Sequence, residues 1–222
     1  MKLIVTVDGP SGTGKSSVSR AVAEATGLPH LDTGAFYRAA TLAVLERGVD
    51  TEDEEAVLDV VRGIELEQAN GATMLDGRDI TRDIRTTPVT AAVSAVSAHP
   101  RVRSLLVQRQ REWVEMHGGK AVAEGRDIGS VVFPQAALKV YLDARPEILA
   151  MRRALQTGED AQAVASDMER RDRKDSTRVA SPLTVPPGAM VVDTSDMTFD
   201  EVVTAVLSLI ESLRGGTDDR HS

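Results

Sequence analysis

Gly9-Pro10-Ser11-Gly12-Thr13-Gly14-Lys15-Ser16 fits the pattern G-x-x-x-x-G-K-[ST] in full. Upstream, Leu3-Ile4-Val5-Thr6-Val7 is a short β-branched run ended by Asp8-Gly9-Pro10, the pattern of a buried strand and its turn. Downstream, Val18, Ala21, Val22 and Ala25 recur at helical spacing until Gly27 stops them. A loop of this composition turns backbone N–H groups inward, and glycine allows positive φ angles and close approach to a ligand. The helix that follows adds the positive end of its dipole. These residues, with Ser17 beside them, are expected to cradle the phosphates of a nucleoside triphosphate. Lys15 would reach the β- and γ-phosphates, and the Ser16 hydroxyl would ligate Mg²⁺. The motif leaves the reaction open.

The rest of the chain alternates between strand and helix patterns. His30-Leu31 reads as a brief strand leading to Asp32-Thr33-Gly34, and Ala35 to Arg47 as a helix with Gly48 at its C-cap. Thr51 with Glu54 reads as a capping box for a short helix through Val61. From Gly63 the character changes to short alternating stretches with Asn70-Gly71 as a hairpin turn, a small β-rich insertion over residues 63–87. Pro88 and Pro100 open further helices, the second running to His117, and Trp113 and Met116 on it are read as core. Ala121-Val122-Ala123 and Leu138 to Leu142 are strand candidates. Pro146 opens a helix that Thr157-Gly158 breaks, and a charged helix is expected from about Glu159 to Arg173. Pro182 to Gly188 reads as a loop, and Met190-Val191-Val192 as the last strand. Thr198 with Glu201 caps a terminal helix, and residues 215–222 are expected to form a disordered tail. Strands separated by helices indicate an α/β domain with a mainly parallel sheet covered on both faces.

Composition narrows the function classes. The 222 residues suit one large domain, taken here as residues 1–222, or a core with a modest insertion. Lys and Arg number 26 against 34 Asp and Glu, a net charge of −8, which disfavours general affinity for a nucleic-acid backbone. With 41% hydrophobic but only 3% aromatic residues, Leu, Val, Ile and Ala must fill the core. Cysteine is absent, so disulfides, thiolate zinc sites and thiol catalysis are excluded. Met1-Lys2 precedes only Leu3 to Val7, too short for a signal-peptide core, and no stretch approaches a membrane span. A cytoplasmic monomer without nucleic-acid or membrane partners is expected.

Arginine is clustered despite the acidic balance. Arg38 lies one helical turn after Gly34, Arg126 follows a strand in Glu124-Gly125-Arg126-Asp127, and Arg152 and Arg153 end a helix. Arg170, Arg171, Arg173 and Arg178 crowd the segment from Glu169 to Arg178. Such a group is either a solvated helix face laced with i,i+4 ion pairs or a set of forks for phosphate oxygens. Phosphoryl transfer would use the second, because its transition state spreads charge over the equatorial oxygens. An acceptor that is itself a phosphomonoester has a second pKa of about 6, so near neutrality it is a dianion that needs no general base. The four histidines (His30, His99, His117, His221) are accordingly read as surface or packing residues.

The loop followed by Leu31-Asp32-Thr33-Gly34-Ala35-Phe36-Tyr37-Arg38 resembles nucleoside monophosphate kinases. Glu124-Gly125-Arg126-Asp127-Ile128-Gly129-Ser130-Val131-Val132-Phe133-Pro134 narrows the resemblance to bacterial cytidylate kinase. Arg170-Arg171-Asp172, Asp175-Ser176 and Arg178 with Pro182-Leu183 agree. The resemblance spans Leu3 to Leu213. It implies a P-loop NTPase fold with a five-stranded parallel sheet of adenylate-kinase type flanked by helices. The insertion would enlarge the monophosphate-binding region, and a short lid would cover residues 154–164. The implied reaction is transfer of the γ-phosphoryl of ATP to CMP or dCMP with Mg²⁺, in pyrimidine nucleotide metabolism. By matched positions, Arg38 and Arg126 would hold the acceptor phosphate, and Ser94, Arg103, Asp127 and Arg178 would recognise cytosine. Arg171 and Asp175 would meet the ribose, and Arg171 and Arg178 would also lie close to the transferring group. Lys15, Arg126, Arg171 and Arg178 would then be the catalytic set. Thr33, also assigned to substrate, stands where many relatives carry Ser, and Glu124 where others carry Asp.

The cytosine assignment is chemically coherent. Cytosine offers an N4 amino donor and acceptors at N3 and O2, and uracil reverses the N4 and N3 pattern. A Ser hydroxyl and a carboxylate accept from N4, while Arg donates to N3 and O2. Two other readings remain on the residues alone: another small-acceptor kinase of the same fold, such as a shikimate kinase, or a non-catalytic nucleotide-sensing switch. Against the second, no Asn-Lys-x-Asp guanine reader occurs in the chain.

Overall fold

The computed structural model describes residues 2–69, 71–158, 160, 162, 165–166, 168–170, 173 and 183–215. In chain order these form β1 (Leu3–Asp8), α1 (Lys15–Thr26), β2 (His30–Asp32), α2 (Thr33–Glu46) and α3 (Glu54–Arg62). Then come β3 (Leu66–Ala69), β4 (Ala72–Leu75), β5 (Arg78–Asp79), α4 (Thr87–Val96) and α5 (Pro100–Met116). The remainder holds β6 (Lys120–Gly125), β7 (Leu138–Asp143), α6 (Pro146–Thr157), β8 (Met190–Asp193) and a last helix, Phe199–Gly215. The chain divides into two units, Met1–His30 with Val114–Ser222, and Leu31–Trp113.

The first unit is built on a five-stranded sheet in the order β2-β6-β1-β7-β8. Central β1 runs parallel to both β6 and β7, and β7 runs parallel to β8. A strand with a parallel neighbour on each side is covered on both faces, so Val5, Thr6 and Val7 are all fully buried. Val18 and Val22 of α1 and Val202, Val206 and Ile210 of the last helix close over Val122, Val140 and Leu142 of the sheet. The register pairs Val7 with Glu124 and Asp8 with Gly125. The carboxyl ends of β1 and β6 therefore lie side by side, where an open α/β sheet places its ligands. Gly9 leaves β1 at φ 148°, and a Cβ there would stand 2.1 Å from the Leu142 carbonyl oxygen, so the first residue of the loop must be glycine.

The second unit packs α2 and α3 around Ala39, Val44, Val57, Val61, Ile80, Ile84, Val96 and Leu106. The β-rich stretch forms an antiparallel three-stranded sheet, β3-β4-β5. Gln68 of β3 grips the backbone at the head of α2: its Nε2 donates to Asp32 O at 2.7 Å, and its Oε1 accepts from Asp32 N at 3.0 Å.

Local chemistry moves several expected boundaries. The helix expected from Ala35 begins at Thr33, because the Asp32 carboxylate accepts from Ala35 N at 3.0 Å and caps it. The expected Thr51–Glu54 capping box is not formed. Asp53 caps α3 through Glu55 N and Ala56 N, both at 3.1 Å, while the Glu54 carboxylate accepts from Arg101 N. The Thr198–Glu201 box is present in both directions, at 2.7 and 3.3 Å. Trp113 is buried with Nε1 donating to Gln68 O, but Met116, also read as core, is 76% exposed in the last turn of α5. A π-helical turn over Ile128–Val132, which no periodicity signalled, follows Arg126-Asp127. Arg152 serves structure: its guanidinium donates to Thr194 Oγ1 and Thr194 O. Arg173 forms an exposed i,i+4 pair with Glu169 at 2.6 Å. Most of the charged helix expected from Glu159, together with Asn70, Pro182 and residues 216–222, lies outside the described residues. Among the described residues no helix is long and apolar enough to cross a membrane.

Candidate active site

The phosphate loop has the backbone its sequence demands. Gly12 and Gly14 adopt φ 79° and 82°, in the left-handed region open to glycine, and Gly14 occupies the N-cap of α1. Gly14 brings no side chain to that cap, which leaves the first amides of α1 to an anion. The Lys15 ammonium donates to Pro10 O at 2.6 Å, holding the side chain against the loop that it closes. Thr13 Oγ1 donates to the same carbonyl at 3.0 Å.

Side chains from the strand ends meet this loop. Ser16 Oγ donates to Glu124 Oε2 at 2.9 Å, and Glu124 is only 3% exposed. His30 Nε2 lies 3.6 Å from the other Glu124 oxygen. Arg126 Nη2 donates to Ser11 Oγ at 2.5 Å, so the guanidinium reaches the loop directly. Asp127, the next residue, is buried. Ser17 is exposed on the first turn of α1.

Sequence reasoning gave no site role to Glu124 or Asp8. The signal available for both was their position at the carboxyl ends of parallel strands. Asp8 Oδ1 accepts from Ile128 N at 2.7 Å and Oδ2 from Gly129 N at 2.8 Å. Burial pushes its carboxyl up from 3.8 to about 6. The two amides oppose that rise, the Asp127 charge adds to it, and Lys15 opposes it.

The folded state therefore holds the Asp8 proton over a range where the unfolded chain has lost it. The resulting stabilisation is complete below pH about 4 and is lost as pH rises through about 6, a change of about 3 kcal/mol for two pKa units. Urea unfolding of the wild type and Asp8→Asn at pH 4 and pH 7 should show the variant gaining on the wild type by about that amount. A difference that does not change with pH would contradict this.

In the second unit, Thr33 is buried in the first turn of α2. One turn on, Arg38 Nη1 donates to Thr90 Oγ1 at 3.0 Å and Ile84 O at 3.2 Å. Arg103 is not the surface charge that its Arg101-Val102-Arg103 context suggests. It is 3% exposed, with its guanidinium carbon 5.1 Å from the Tyr37 ring centroid and Nη1 donating to Ser97 O. Ser94 is half-buried on α4, and its carbonyl accepts from Ser97 Oγ at 3.3 Å. Arg171, Asp175 and Arg178 lie outside the described residues.

The donor set at the loop suits Mg²⁺, which takes one or two protein oxygens and completes its shell with phosphates and water. Ser16 and Glu124 supply hard oxygen ligands of that kind. Among the described residues no group of three or more His, Cys, Asp or Glu gathers as a preformed metal cage.

The cytidylate kinase family model matches residues 5–212. A cytidylate kinase from Rhodococcus opacus (strain B4) is 49% identical over 223 residues, covering 96% of each chain. One from Mycobacterium leprae (strain Br4923) is 46% identical over 218 residues, covering 96% of this chain and 97% of the relative. The crystal structure of a sugar kinase from Janibacter sp. HTCC2649 shares the fold, with a TM-score of 0.50 at 16% identity over 95% of each chain. A phosphate loop of full motif, an arginine held on it, and family similarity from near one end of the chain to the other all agree: the chain belongs to the cytidylate kinase family.

Proposed function

We propose that this protein transfers the γ-phosphoryl of ATP to CMP and dCMP, giving ADP and CDP or dCDP. The observation that carries the reading is the placement of Arg126 on Ser11 of the phosphate loop, in a chain that matches the family over residues 5–212. Gly9 to Ser17 cradle the ATP phosphates, with Lys15 on the β- and γ-phosphates. Ser16, oriented by Glu124, would hold Mg²⁺, which would supply positive charge to offset that of the phosphates. Arg38 and Arg126 hold the acceptor phosphate. One of its oxygens attacks the γ-phosphorus while the bond to the β-bridging oxygen breaks, and that oxygen leaves on ADP. The attacking dianion carries no proton, so the step requires no base. Ser94, Arg103 and Asp127 read cytosine, Thr33 lies on the acceptor side, and Arg171, Asp175 and Arg178 complete the set by resemblance. The reading includes a cytoplasmic monomer, and the net charge of −8 argues against nucleic-acid partners.

A coupled ADP assay with ATP, Mg²⁺ and a panel of CMP, dCMP, UMP, AMP and GMP tests the assignment. CMP and dCMP should be preferred, because a site that hydrogen-bonds its substrate leaves buried groups unpaired with the wrong base. Ser94→Ala and Asp127→Ala should each raise KM for CMP by about five- to 150-fold, the equivalent of a lost hydrogen bond of roughly 1–3 kcal/mol, and KM for ATP far less. A change confined to ATP would put these residues on the donor side.

A further inference from the structure

We infer that Asp8 is a positioning residue for the acceptor site: its carboxylate fixes the backbone that presents Arg126 and Asp127. The proposal rests on the acceptor role given to those two residues above.

Asp8 is fully buried at the end of β1, and no step of the reaction uses it. Its oxygens take the amides of Ile128 and Gly129, the two residues immediately after the Arg126-Asp127 pair. From the other side, Asp127 O accepts from Val132 N at 3.2 Å, an i→i+5 bond of the π-helical turn, and also from Val131 N at 2.9 Å. The peptide leaving Asp127 is thus held at its carbonyl by the turn and at its amide by Asp8. Such double anchoring sets the direction in which the Arg126 and Asp127 side chains leave the chain. Close approach is part of the device. A Cβ on Gly129 would lie 2.8 Å from Thr6 Oγ1 and 3.1 Å from Asp8 Oδ2, so a larger residue would push the turn off the carboxylate. A carboxylate is suited to this place because two adjacent N–H groups need two acceptors. Asparagine offers one oxygen and turns an NH₂ donor toward the other amide.

The test compares wild type, Asp8→Asn and Gly129→Ala, each checked for folding by circular dichroism and thermal melting. Asp8→Asn should raise KM for CMP by about tenfold or more while KM for ATP stays close to wild type, and Gly129→Ala should reproduce that pattern with the carboxylate intact. Hydrogen exchange should show the Ile128 and Gly129 amides losing protection in Asp8→Asn while the β1 amides keep theirs. A purely structural Asp8 would lower the melting temperature and the active fraction but leave both KM values alone. Folded variants with wild-type KM for CMP would overturn the inference and leave the CMP kinase reading standing. If Asp8→Asn does not fold, an unchanged KM for CMP in Gly129→Ala overturns it equally. A wild-type protein that does not phosphorylate CMP would overturn the reading itself.

Discussion

Replacing Lys15 by alanine is expected to lower kcat by about 10²–10³ in a protein that still folds, because one preorganised charged donor is removed from the transferring group. Lys15 lies at the start of α1, and its ammonium is held on the Pro10 carbonyl, within the loop whose glycines set the backbone. Alanine removes that hydrogen bond and the charge but leaves Gly12, Gly14 and the N-terminus of α1 in place. ATP should therefore still bind, with most of the loss in kcat. Lys15→Arg is expected to restore little, since the longer planar group does not fit a site shaped for a compact ammonium. Steady-state kinetics at saturating ATP and CMP check this, and near-normal turnover in folded Lys15→Ala would remove the loop from the chemistry.

Arg126→Ala should cost as much or more, about 10³–10⁵ in kcat/KM for CMP, the range found where an arginine stabilises the charge of a moving phosphoryl group. Its guanidinium already spans from the end of β6 to Ser11 of the loop at 2.5 Å. In the proposed reading, one face of the fork would serve the acceptor phosphate and another the group in transit. Arg126→Lys should recover only part of the loss, because a single ammonium cannot make parallel bonds to two oxygens. An Arg126→Ala enzyme within tenfold of wild type would mean that this arginine only braces the loop.

What the sequence shows and what it hides divide along contact range. The phosphate loop was legible because its demands are local: glycine at positive φ, a lysine and a hydroxyl at fixed offsets, a strand before and a helix after. Strand and helix order followed from short-range periodicity in the same way. Asp8 looked like the start of a turn because its partners, Ile128 and Gly129, lie some 120 positions away across a parallel pairing. Glu124 was noticed only as a departure from Asp, since its bond to Ser16 spans 108 positions. Arg103, assigned to cytosine by resemblance, sits among charges, and nothing local signals that the Tyr37 ring and the Ser97 carbonyl enclose it. Met116 has apolar character, but it stands exposed in the last turn of α5, just before the Gly118-Gly119 reversal. The π-helical turn has no periodicity of its own; it closes through Val132 N on Asp127 O and Phe133 N on Ile128 O, each five residues on.

The central claim is transfer of the γ-phosphoryl of ATP to the phosphate of CMP, and ³¹P NMR of one mixture tests it. The protein is incubated with Mg²⁺, CMP and ATP carrying ¹⁸O on its γ-phosphate. The account predicts that the isotope-shifted signal moves to the β-phosphate of CDP as ADP forms in equal amount, with inorganic phosphate remaining a minor product. Label appearing in inorganic phosphate, with CMP unchanged, would contradict it.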